Sequence, residues 1–123
     1  MPRVSVILPT HNRADLLPAA LQSVINQTFI DWELIVVDDA SSDGTPAVLE
    51  EWVSRDPRIR AVRNDPNRKL PASLNRGFSL ATGELWTWTS DDNLLRPPAL
   101  ARMVQELDDH PEAGLVYAGM SLI

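Results

Sequence analysis

Glu33-Leu34-Ile35-Val36-Val37-Asp38-Asp39-Ala40-Ser41-Ser42-Asp43-Gly44-Thr45-Pro46 is the stretch that decides the fold. Its first part is a near-continuous apolar run, the pattern of a strand buried on both faces and therefore of a parallel strand covered by helices. The chemistry then changes abruptly. Two acids end the run, Ser41-Ser42-Asp43-Gly44 is turn chemistry, Thr45 can cap a helix, and Pro46 fits a first helical position. Strand, acidic end, turn and helix start follow one another without a spacer.

The same grammar extends in both directions. Val4-Ser5-Val6-Ile7-Leu8, ending at Pro9, reads as a second buried strand; Arg58-Ile59-Arg60-Ala61-Val62 is shorter and more polar and belongs at an edge. Glu84 to Thr89 and Leu115 to Ala118 complete the expected strands. Between them, Leu17, Leu21, Val24 and Ile25 share a helical face, with Pro18 tolerable only in a first turn. The helix begun at Pro46 buries Val48, Leu49, Trp52 and Val53 and must stop before Asp56-Pro57. Leu70, Leu74, Phe78 and Ala81 fall at helical spacing, with Pro71 at the start and Gly83 at the end, and Leu100, Met103, Val104 and Leu107 repeat the pattern after Pro97-Pro98. Such alternation predicts an α/β fold: a mostly parallel sheet with right-handed crossovers and helices on both faces.

Composition narrows the function. The chain has 123 residues, with 11 Lys+Arg against 17 Asp+Glu and a formal net charge of −6 at pH 7, so nucleic acid is not an expected partner. A hydrophobic content of 44% suits a globular core and argues against disorder. No apolar run approaches the ~18–20 residues of a transmembrane helix, and the opening Met1-Pro2-Arg3-Val4 leads into no signal-type stretch, so a cytoplasmic location is expected. Without cysteine there is no disulfide, thiol nucleophile or Cys-ligated zinc, and His11 and His110 alone make no histidine-rich metal site. Any metal would be held by oxygen.

In an open α/β sheet, ligands bind beyond the carboxyl ends of the strands. Those ends carry Pro9-Thr10-His11-Asn12-Arg13, Asp38-Asp39 and Ser90-Asp91-Asp92-Asn93. Asp38 reads equally well as a turn or helix-start acid, whereas Asp39 is harder to explain by capping; Asp91-Asp92 has the alternative of a polar strand end. Two acidic pairs on one rim repel each other unless a hard cation joins them, and Mg²⁺ or Mn²⁺ held by one or two carboxylates plus ligand phosphates suits this inventory. A phosphorylated ligand follows. The loop after the first strand matches neither G-x-G-x-x-G nor a P-loop, which argues against dinucleotide-dependent dehydrogenases and P-loop NTPases. Phosphate donors are then sought in Arg68, Lys69 and Arg76, each of which also reads as a solvated cation. Lys69 is the preferred one, being in the loop that leads toward the cleft. His11 either meets a base or is simply an exposed loop histidine.

The blocks from Val4 to Arg13, from Ser23 to Thr28, from Glu33 to Thr45 and from Ser90 to Asn93 resemble, in order and spacing, the nucleotide-binding half of family 2 glycosyltransferases of the GT-A fold. The stretch from Ser90 to Tyr117 is most similar to their spore-coat polysaccharide branch. The resemblance implies a Rossmann-like, mostly parallel sheet, truncated, with residues 1–123 as the nucleotide-sugar (donor) part and the acceptor part absent. It implies that Pro9, Thr10 and His11 line the nucleoside pocket, that Asp39 accepts a hydrogen bond from a pyrimidine ring, and that Asp91 and Asp92 form a D-x-D-like motif. Asp91 would bind ribose, and Asp92 would ligate the Mn²⁺ or Mg²⁺ that bridges the diphosphate of a UDP- or dTDP-type sugar. Thr89 stands where the family often has a further acid. The family's inverting chemistry uses an Asp or Glu base well downstream of that motif, and no residue up to Ile123 can be assigned to it.

The expected activity is therefore donor binding for inverting glycosyl transfer in polysaccharide biosynthesis, with little or no turnover by this chain alone. Two alternatives remain. One is a non-catalytic glycosyltransferase-like binding or oligomerisation module, in which an apolar edge near Leu115 to Ile123 drives homodimerisation. The other is a receiver-type signalling domain, which would need its acidic pair after the first strand.

Overall fold

The computed structural model of the chain describes residues 2–109. Strands β1 (Val4–Thr10), β2 (Trp32–Asp39), β3 (Ile59–Asn64) and β4 (Leu85–Trp88) alternate with helices α1 (Leu17–Ile25), α2 (Thr45–Arg55), α3 (Lys69–Leu80) and α4 (Ala99–Asp109). The sheet order is β3-β2-β1-β4, and each pairing is parallel. The alternation, the parallel sheet and the edge position of β3 agree with the sequence. The expected strand at Leu115 to Ala118, and the apolar edge built on it, lie outside the described residues.

Successive strand residues point to opposite faces. Val4, Val6 and Leu8 of β1 and Leu34 and Val36 of β2 join Leu17, Leu21, Leu49, Trp52, Leu100 and Val104 in the larger core, under α1, α2 and α4. Ile7, Ile35 and Val37 face the other way, against Leu74 and Phe78 of α3. Gln27 ties the α1 end to the α4 start: its buried amide donates to the Ser23 and Arg96 carbonyls, at 3.0 and 2.8 Å, and accepts the Leu100 N–H at 3.0 Å. A buried amide so satisfied stabilises the join rather than burdening it.

Several local expectations shift. Thr45 does not cap α2. It is the first helical residue, its hydroxyl accepts the Arg13 N–H at 3.2 Å, and Asp43 takes the Thr45 N–H at 2.9 Å. Val53 is on the exposed side of α2. The buried line of α3 is Ser73 and Gly77, with Leu70 exposed and Ala81 beyond the helix end. The closest approach explains this: a Cβ on Gly77 would sit 2.3 Å from Ile7 Cγ2. Gly83 likewise serves close approach rather than a helix cap, since its Cβ would meet Ser5 and Arg3 backbone atoms at 2.9 and 3.0 Å.

β1, β2 and β3 each run further than their apolar cores suggested, so Thr10 pairs with Asp38 and Asp39 with Asn64 at the ends of the ladder. The polar strand ends are thereby held by sheet hydrogen bonds. They form the platform for the site.

Candidate functional site

At this rim a cavity of about 510 Å³ opens between the ends of β1, β2 and β4 and the first turns of α3. Pro9, Thr10, His11, Asp39, Asp91 and Asp92 all line it, joined by Arg13, Leu70, Ser73, Trp88 and Ser90. The two loops beside it are stitched together. The Asn12 N–H donates to Ser41 Oγ, and the Ser42 N–H donates to Asn12 Oδ1, both at 2.8 Å. The polar turn after β2 therefore braces the loop after β1.

Asp39 is 6% exposed. Its Oδ1 accepts the Arg68 N–H at 2.7 Å and Asn64 Nδ2 at 3.0 Å, and its Oδ2 accepts the Lys69 N–H at 2.8 Å. Burial alone would raise its pKa, but these hydrogen bonds from Arg68, Asn64 and Lys69 outweigh it and hold the carboxyl below its ordinary value. Oδ2, with one donor, retains accepting capacity toward the cavity. Lys69 pays for its place with a left-handed backbone, φ 72°, and Asn12 and Ala40 at the same rim are also left-handed, φ 53° and 60°. His11 Nδ1 lies 2.7 Å from the Asp39 carbonyl oxygen. A carbonyl only accepts, so Nδ1 carries the proton and the imidazole is oriented across the top of β2.

Asp38 behaves as the turn acid of the plainer reading: Oδ1 accepts the Ser41 N–H at 3.1 Å, and Oδ2 pairs with Arg63 at 2.8 Å. It does not line the cavity.

The second acidic pair is docked from β4 onto β1. Thr10 Oγ1 donates to Asp91 Oδ2 at 2.8 Å, and Arg13 Nε lies 3.9 Å from Asp91 Oδ1. Burial pushes the Asp91 pKa up, and adjacent Asp92 adds to this, against the Thr10 hydrogen bond and the Arg13 charge. Asp92 is exposed and receives the Ser90 hydroxyl at 2.9 Å. Thr89 is buried, 3% exposed, with its hydroxyl unpartnered, so it offers nothing to the cavity surface. Among the described residues no group of three or more His, Cys, Asp or Glu could enclose a metal. The donors present, one exposed carboxylate beside a half-buried one, suit a hard cation that keeps waters and takes further oxygens from a phosphate.

Lys69 reaches the site only through its amide and is not part of the cavity wall. Arg68 and Arg76 line a separate groove with Arg63, where Arg76 donates to the Arg63 carbonyl at 2.5 Å and to Asn64 Oδ1 at 2.8 Å. The cation beside the acids is Arg13, which ended the quoted first block without being given a role. Its signal was position: it follows β1 directly, as Asp91 follows β4. Trp88 was also passed over, as an ordinary strand residue. The receiver-type alternative finds no acidic pair after β1, which ends in Thr10 and His11.

Comparison with known proteins matches the family model "Glycosyl transferase family 2" over residues 5–121. A relative, the GalNAc(5)-diNAcBac-PP-undecaprenol beta-1,3-glucosyltransferase of Campylobacter jejuni, is 40% identical over 110 residues, covering 89% of this chain and 36% of its own. A PGL/p-HBAD biosynthesis glycosyltransferase of Mycobacterium bovis is 35% identical over 120 residues, covering 94% and 46%. The chain thus spans less than half the length of either. Among solved structures, the mannosyltransferase PcManGT from Pyrobaculum calidifontis, in complex with GDP-Man and Mn²⁺, superposes with TM-score 0.82 at 35% identity over 89% of this chain and 33% of that one. S. aureus TarS 1–349 in complex with UDP-GlcNAc superposes with TM-score 0.82 at 26% identity, over 89% and 32%.

Proposed function

Because the chain belongs to glycosyltransferase family 2, we propose that it is the donor-binding part of a glycosyltransferase, taking a nucleoside-diphosphate sugar of UDP or dTDP type together with Mn²⁺ or Mg²⁺. The observation that carries this is the Thr10–Asp91 hydrogen bond of 2.8 Å, which closes the nucleoside loop, Asp39 and the acidic pair around one cavity. The complexes of PcManGT with GDP-Man and Mn²⁺ and of TarS with UDP-GlcNAc support the ligand class.

In this reading Pro9, Thr10 and His11 hold the nucleoside, and Asp39 Oδ2 accepts from the base while its other oxygen keeps the Arg68 amide in place. Asp91, fixed by Thr10, meets the ribose. Asp92, free of any strong partner, holds the cation with the diphosphate, and Arg13 adds positive charge from the opposite wall. Lys69 is left with a charge contribution from the loop edge. When bound, the cation neutralises charge on the departing nucleoside diphosphate. Transfer with inversion would need a base from a part of the enzyme other than the residues described, so this chain alone binds without turnover.

Calorimetric titration with UDP, with and without Mn²⁺, tests the assignment. Binding should strengthen with Mn²⁺, and Asp92→Ala should remove that gain while leaving metal-free binding intact. Metal-independent binding that is indifferent to Asp92→Ala contradicts it.

A further inference from the structure

Trp88 is the odd tryptophan of this protein. Trp32 lies under the Arg58 guanidinium at 3.8 Å, Trp52 under that of Arg55 at 4.9 Å, and Trp86 stacks on Phe78 at 5.6 Å with its N–H donated to the Gly83 carbonyl at 2.9 Å. Among the described residues Trp88 has no ring partner and no acceptor for its N–H, and it is 41% exposed. It is also the only one of the four in the cavity wall, where with Leu70 it forms an apolar flank facing the carboxylates of Asp91 and Asp92.

Its place along the rim decides what it would meet. β4 is separated from β2 by β1 alone, so the Trp88 and Asp39 strands lie about 10 Å apart at ordinary strand spacing. If the base is at Asp39 and the diphosphate at Asp91 and Asp92, Trp88 is at the far end, beside the acids, where the sugar lies. A pyranose presents a face of C–H groups and a rim of hydroxyls. An indole offers the complement, a polarisable ring face for the first and an N–H donor for the second.

We propose that Trp88 is a specificity-determining residue that stacks on the donor sugar and gives its indole N–H to a sugar hydroxyl. This inference rests on the nucleotide-sugar reading above. It adds a residue that distinguishes the sugar from the nucleotide, and so can fail separately.

The test compares, for the purified chain with Mn²⁺, the Kd of UDP-glucose, UDP-GlcNAc and GDP-mannose with the Kd of UDP or GDP. The sugar with the most favourable ratio is then carried into Trp88→Ala, Trp88→Phe and Trp86→Ala. Trp88→Ala should worsen the ratio of sugar nucleotide to nucleotide about tenfold, the size of one lost aromatic stack, with nucleotide affinity and circular dichroism unchanged. Trp88→Phe, which keeps the ring face, should recover most of the loss, and Trp86→Ala should leave the ratio alone. A ratio unmoved by Trp88→Ala, or moved equally by Trp86→Ala, overturns the inference while leaving nucleotide binding in place. Failure of the wild-type chain to bind UDP and GDP at all would instead overturn the donor-site reading itself, and this inference with it.

Discussion

The Asp39 carboxylate is committed to protein donors on both oxygens, and those donors are mostly amides of the loop between β3 and α3. Its replacement by Asn keeps the shape but turns one acceptor into a donor facing an N–H. Asp39→Asn should therefore cost about 1–3 kcal/mol and speed hydrogen exchange in residues 65–70, read by denaturant melts and exchange mass spectrometry. An unprotected loop in the wild type would contradict this. Glu33 makes a similar contribution at the opposite end of the sheet, where its Oε2 accepts from Ser5 Oγ at 2.5 Å, the Thr82 N–H at 2.7 Å and the Thr82 hydroxyl at 2.8 Å. Burial opposes ionisation there, but these hydrogen bonds and Arg60 prevail and the pKa is lowered. The stabilisation is present in full above the ordinary glutamate range of about 4.3 and is lost as pH falls through the lower folded value. Urea melts from neutral pH downward should show a smaller acid loss of stability in Glu33→Gln than in wild type. Asp39 was legible because capping explained it poorly. The Arg13–Asp91 proximity and the isolation of Trp88 were not, because both depend on which strands become neighbours, and periodicity along one strand carries no such information.

Elements were easier to read than their ends. Continuous apolar runs marked β1 and β2 as doubly covered strands, and Pro and turn residues marked helix starts. The polar continuations Pro9-Thr10, Asp38-Asp39 and Arg63-Asn64 stayed in the ladder because each has a registered partner on the next strand, and burial pattern alone cannot report that pairing. The face of α3 was displaced for a related reason: Gly77, not a large apolar residue, sets its distance from the sheet. Gly77→Ala should destabilise by about 1–3 kcal/mol through overpacking, even though alanine favours a helix over glycine by up to about 1 kcal/mol. On an Ile7→Ala background, which removes the clashing methyl, the same substitution should cost less. Equal costs on both backgrounds, read from melts of the four proteins, would place the strain elsewhere.

For the whole molecule, the fold and the family are secure from sequence pattern, topology and the match over residues 5–121, while donor, metal and acceptor belong to a larger protein than the residues described. The charge of −6 gains local meaning at the rim, where Asp39 is spent on loop architecture and Asp92 is left open. The central claim is that a nucleoside diphosphate and a divalent cation meet at the ends of β1, β2 and β4. Paramagnetic line broadening tests it most directly: Mn²⁺ is titrated into the isotope-labelled chain in the presence of UDP and the backbone amides are followed. Broadening should centre on Ser90 to Asn93 and extend to Thr10 and His11, and should disappear in Asp92→Ala. Broadening that spares this rim, or that is the same with and without UDP, would contradict the account.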